Sequence, residues 1–188
     1  MKYIALLRGI NVGGKNKVSM AQLKQCLENE GYLNVRTYIN SGNVILESDL
    51  NAITLAASIE DILTQNFTLD SSLIKVLVLT SDELKAIVDN KPKGFGEQPN
   101  IYHSDVVFLM GITANDAIKV FRSKDGVDEV WQGNDVIYSQ RVSEFRAKSR
   151  LNRIMGTPEY KLMTIRNWST TTKLLELVTP NTRLDINS

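Results

Sequence analysis

INSGNVILES, residues 39–48, and WQGNDVIYSQ, residues 131–140, each set Gly-Asn at a turn between two strand-like runs, at Gly42-Asn43 and Gly133-Asn134. Glycine and asparagine tolerate the left-handed conformations of tight hairpin turns, and alternating apolar residues beside them mark strands. Two hairpins of one design raise the possibility of a repeat, and the flanking segments recur in the same order. Ahead of the first hairpin come a strand at 2–8 and a helix at 19–30, whose Met20, Leu23 and Leu27 share one face behind a Ser19-x-x-Gln22 capping signature. The strands around the turn are 34–40 and 43–47; a helix at 50–67 buries Leu55, Ile59, Ile62 and Leu63, and a strand at 74–79 precedes a helix opened by Ser81 and Asp82.

The segment KPKGFGEQPN, 91–100, has two prolines, two glycines and no periodicity, and reads as a linker or long loop. The order then restarts: strand 105–110, helix 114–122, strands 128–132 and 135–140, helix 146–155, strand 161–165, helix 169–178. The expected fold is α+β, an internal duplication of two ferredoxin-like βαββαβ units, each followed by an extra helix. The halves are 1–90 and 105–188, joined by a linker at 91–104. Such a unit closes as an antiparallel sheet in strand order 4-1-3-2 with both helices on one face. The open face must be covered by the other half or by a partner, a homodimer being one such arrangement.

The first strand runs into RGINVGGKNK, 8–17, which matches the phosphate-loop pattern G-x-x-x-x-G-K-[ST] at Gly9, Gly14 and Lys15 but ends on Asn16. A phosphate loop needs the helix to begin at its Gly-Lys, a hydroxyl for magnesium and a parallel sheet. The helix cap at Ser19 comes too late, Asn16 has no hydroxyl, and the sheet is expected to be antiparallel, so nucleotide hydrolysis by this loop is rejected. The loop is still long for its place and lined by Arg8, Lys15 and Lys17, with Gly13 and Gly14 allowing close backbone approach. In a 4-1-3-2 sheet it shares an end with the 40–43 hairpin, gathering Arg8, Asn11, Lys15, Lys17, Asn40, Ser41 and Asn43. No acidic residue occurs before Glu28. Clustered donors on a glycine backbone suggest an anion site; the alternative is a structural loop whose Asn and Gly residues take left-handed turns.

ALLRGINVGGKNKVSMAQL (5–23), TYINSGNVIL (37–46) and TIRNWSTTTKLLEL (164–177) resemble a widespread bacterial family known as a domain of unknown function. The resemblance runs from the first strand to the last helix. It implies a cytoplasmic bacterial protein of two similar α+β halves and brings no activity, cofactor or catalytic residue. In the third motif Arg166, Asn167 and Trp168 stand where the last strand meets the final helix, which Ser169 or Thr170 could cap. Arg166 could clamp an anion and Trp168 stack on a ring, or Trp168 could belong to the core with Arg166 bonding carbonyls between the halves.

RVSEFRAKSRLNR, 141–153, holds five basic residues and one acid. On a helix Arg146, Arg150 and Arg153 would form a basic stripe opposite Ala147, Leu151, Ile154 and Met155, a secondary patch suited to phosphates or simply a solvated face. His103 is the single histidine and Cys26 the single cysteine of the 188 residues, so no metal site and no disulfide are expected. Asp125, Asp128 and Glu129 read as solvated turn residues. The charge of +1, 43% hydrophobic and 23% charged residues describe an ordinary globular chain. No apolar run approaches the ~20 residues that span a bilayer, and the expected location is cytoplasmic. The functional expectation is binding of a phosphate-bearing ligand, nucleic acid or nucleotide, without a cofactor and with catalytic residues unknown. The alternatives are an enzyme on a small anionic metabolite in a cleft between halves, and a structural or dimerisation module.

Overall fold

The computed structural model describes residues 1–179. It is an α+β protein with two four-stranded antiparallel sheets. By packing, the described chain forms two compact units: Met1–Leu84 with the residues from Lys173, and Lys85–Thr172.

The first unit contains β1 (Lys2–Arg8), α1 (Met20–Asn29), β2 (Leu33–Tyr38), β3 (Asn43–Glu47), α2 (Ala52–Asn66) and β4 (Lys75–Thr80), with strand order β2-β3-β1-β4. Central β1 is apolar on both faces because both are covered. Tyr3, Ala5 and Leu7 meet Leu23 and Leu27 of α1 and Leu55, Ile59 and Leu63 of α2, while Ile4 and Leu6 on the opposite face are also fully buried. The helix starts follow from their caps. Ser19 Oγ accepts the Gln22 N–H at 3.3 Å, and Asn51 Oδ1 accepts the Thr54 N–H at 2.9 Å, so α2 begins at Ala52.

After α3 (Ser81–Asp89), the second unit contains β5 (Tyr102–Leu109), α4 (Ala114–Ala117), β6 (Asp128–Gln132), β7 (Val136–Val142) and β8 (Met163–Asn167), ordered β6-β7-β5-β8; α5 (Trp168–Val178) follows, and its residues from Lys173 belong to the first unit. Val107, Leu109, Ile137 and Met163 pack under Ala114, Ala117 and Ile154. On the other face Tyr138 is buried and donates its hydroxyl to the Ile87 carbonyl of α3 at 2.6 Å; burial pushes its pKa up to about 12.

Two segments differ from the sequence expectation. The helix expected at 114–122 is α only to Ala117 and tightens into a 3₁₀ turn, Ile118–Val120. The helix expected at 146–155 is absent; 3₁₀ turns at Ser143–Lys148, Leu151–Gly156 and Pro158–Leu162 replace it. Ser149 and Thr157 are extended, the latter as the residue before a proline. The carboxylate of Asp128, from β6, also captures the Arg150 N–H at 2.8 Å, a donor that a continuous helix would need. Arg146, Arg150 and Arg153 are exposed but do not lie on one helical stripe. The irregular segment 91–100 is packed: Phe95 is fully buried, edge-on to Trp131, Tyr138 and Trp168 at 6.0, 5.1 and 5.2 Å between centroids.

Candidate functional site

The glycine loop is a miniature hairpin. The Asn11 N–H donates to the Asn16 carbonyl at 2.9 Å and the Lys15 N–H to Val12 at 3.0 Å, leaving Gly13 (φ 57°) and Gly14 (φ 77°) at the tip. Positive φ at both central residues is the hairpin turn geometry that glycine meets without strain. The Gly14-Lys15 pair therefore sits in a turn, and α1 begins only at Met20.

Two asparagines hold this hairpin in place. Asn11 Nδ2 donates to the carbonyls of Val18 and Asn40 at 3.0 and 2.9 Å, and its Oδ1 accepts the Val18 N–H at 2.8 Å. Asn16 Nδ2 donates to Gly9 at 2.8 Å and its Oδ1 accepts the Asp70 N–H at 2.8 Å. Asn11 also has φ 53°, so alanine there loses the bonds and strains the backbone. Asn11→Ala should cost about 2 kcal/mol in chemical denaturation, with Asn11→Gly costing less because it removes only the bonds. Equal losses would show that the backbone angle is not constrained.

The loop docks on the 39–43 hairpin. Ile10 is buried, and a Cβ on Gly42 would come within 2.8 Å of its Cδ1. Asn43 is fully buried, donating to the Tyr38 carbonyl at 2.9 Å and to Ser41 Oγ at 3.1 Å, so it shapes the hairpin and Ser41 is the exposed member. Half-buried Arg8 donates from Nη1 to the Leu73 carbonyl at 2.9 Å. Lys15 and Lys17 are exposed, and neither has an ion pair among the described residues. The fold does bring one acid near, Asp70, whose carboxylate accepts from the N–H and hydroxyl of Ser72. Lys17, Gly14, Asn11 and Asn40 line a groove of about 570 Å³ with Ser19, Met20 and Ala21 of the α1 start, where backbone N–H groups favour negative charge.

The third motif belongs to the second unit up to Thr172. Arg166 is buried, donates from Nη1 to Thr164 Oγ1 at 3.0 Å and the Ile165 carbonyl at 2.9 Å, and burial lowers its guanidinium to about 10. The α5 cap is Asn167, not Ser169 or Thr170: its Oδ1 accepts the Thr170 N–H at 2.8 Å and the Ser169 hydroxyl at 3.1 Å. Trp168 is half-buried.

A polar cluster on β5, β6 and β7 escaped the sequence reading. His103 Nε2 lies 3.1 Å from Asp105 Oδ1, whose Oδ2 meets Arg141 Nη2 at 3.2 Å, and Arg141 Nη1 donates to Asn152 at 3.0 Å. Asp128, taken as a solvated turn residue, is buried opposite Arg141, and its Oδ2 accepts the N–H groups of Lys124 and Arg150. The visible signal was the alternation His103-x-Asp105, but the strand was expected to start only at 105. Among the described residues no cluster of three His, Cys, Asp or Glu could hold a metal ion.

Residues 1–138 match the family model described as "Protein of unknown function (DUF1697)". The chain belongs to this family. A solved structure, that of the conserved bacterial protein SP0830 from Streptococcus pneumoniae, is similar over 95% of this chain and 98% of that one, with 27% identity and a TM-score of 0.78. No curated protein matches the chain. Among the described residues no helix is long and apolar enough to cross a membrane.

Proposed function

We propose that this family member is a cytoplasmic bacterial protein that binds a phosphate-bearing ligand, nucleic acid or nucleotide, at the glycine-loop end of its first sheet. The observation that carries the reading is the pair Lys15 and Lys17, exposed and without an ion pair among the described residues, with Lys17 lining a groove that includes the start of α1. Lysines held only for structure normally meet acids, whereas these flank backbone donors suited to an anion. Gly13 and Gly14 have no neighbouring atom where a side chain would stand, so the turn is open to close approach. Arg8, Asn11, Ser41 and Asn43 serve by positioning the loop and hairpin. Arg166, Asn167 and Trp168 are a separate candidate segment on the second unit, and Arg146, Arg150 and Arg153 a secondary basic patch there. We read the architecture as a duplicated ferredoxin-like unit, 1–90 and 105–188, with 91–104 between the repeats; ferredoxin-like sheets host many roles, so the site carries the argument.

Titration with single-stranded RNA and DNA oligomers at several salt concentrations tests the reading. Affinity should fall with a log–log slope of ~0.7 per neutralised phosphate, and replacing Lys15 and Lys17 by alanine together should flatten the slope by roughly one to two units. Absence of binding at low salt, or binding unchanged in the double variant, would refute it.

A further inference from the structure

We infer that the second unit carries a separate site for a planar heteroaromatic ring of nucleobase size, walled by Trp168 and Tyr102 and edged by His103. These side chains line one cavity of about 330 Å³ together with Ser104, Asn167 and Thr172. That volume is at the small end of the range for ligand pockets, enough for a ring and little more.

The indole is held rigidly before any ligand arrives. Phe95 meets it edge-on at 74°, and Gly96 lies so close that a Cβ there would fall 2.4 Å from Trp168 Cδ1. Gly96 takes φ 71°, a conformation that itself favours glycine. A ring fixed in this way offers a stacking face at little entropic cost.

The rim supplies hydrogen-bonding groups of both kinds. Among the described residues, no protein group takes up the Trp168 Nε1–H or the Tyr102 hydroxyl. Asp105 engages His103 at Nε2, at 3.1 Å, and Arg141 in turn fixes Asp105. In its neutral form the imidazole carries one donor and one acceptor nitrogen. Donors beside an acceptor, around an aromatic wall, match a nucleobase edge better than an aliphatic or purely apolar ligand.

The site does not rest on the phosphate reading, and uncharged nucleosides separate the two. Adenosine, guanosine, cytidine and uridine would be titrated by calorimetry, with ribose as the non-aromatic control. The expected result is saturable binding of at least one nucleoside and none of ribose, about tenfold or more weaker in Trp168→Leu and unchanged in the Lys15/Lys17 double alanine variant. His103→Ala, at a side chain 44% exposed, gives a second test where loss of the tryptophan disturbs folding, and it should also weaken binding. No nucleoside binding at millimolar concentration would overturn the proposal, as would full binding by both Trp168→Leu and His103→Ala.

Discussion

Phe95→Ala is expected to destabilise the protein by about 3–5 kcal/mol, the usual cost of emptying a buried aromatic site. Phe95 is fully buried and touches the edges or faces of three other rings, Trp131, Tyr138 and Trp168. Its removal leaves a cavity that those rigid neighbours cannot close, since Tyr138 is tied by its hydroxyl to Ile87. The near-UV circular dichroism of the tryptophans should weaken in parallel. Chemical denaturation checks the figure; a change below about 1 kcal/mol would mean that the aromatic cluster contributes little.

A loss of similar size, about 3–5 kcal/mol, is expected for Arg141→Ala, by a different mechanism. Arg141 and Asp105 are both largely buried, and the pair is joined by Asn152 on one side and His103 on the other. Taking away the guanidinium leaves the Asp105 carboxylate inside the protein without its strongest partner. Removing the carboxylate as well, in an Arg141→Ala, Asp105→Ala double variant, should restore part of the stability, because the uncompensated charge disappears with it. Strictly additive losses in the double-mutant cycle would show that the two side chains do not act as a pair.

The central strands β1 and β5 were legible because each holds an apolar run, the hairpins because Gly-Asn marks their turns, and the helices α1 and α2 because their apolar positions recur at helical spacing over several turns. The 146–155 segment has the same spacing in Ala147, Leu151 and Ile154, yet forms 3₁₀ turns. What overrides the pattern is distant in sequence: Asp128, which holds the Arg150 N–H. A local periodicity cannot register such a competitor. Phe95 was hidden for a related reason. Its prolines and glycines correctly excluded a helix or strand, but nothing local tells a packed loop from a linker.

The candidate site was legible in its parts more than in their duties. The glycine loop and the 39–43 hairpin do meet, through Asn11 and Asn40 and through Ile10 against Gly42. Asn11 and Asn43, which looked like ligand donors, spend their amides on backbone and neighbouring hydroxyl groups. Asparagine in a left-handed turn is as good a staple as it is a donor, and the residue type alone does not separate the two uses. The exposed lysines were easier to place, because a cation on a hairpin tip has little else to do but face solvent.

The most direct test of the phosphate reading is residue-resolved. Backbone amide chemical shifts of isotopically labelled protein would be followed as a short single-stranded oligonucleotide is added at low salt. The largest shifts should fall on Gly13, Gly14, Lys15, Lys17 and the first amides of α1, at Met20 and Ala21, and should vanish in the Lys15/Lys17 double alanine variant. Saturating shifts confined to other residues, with the loop and the α1 start unmoved, would contradict the proposed site.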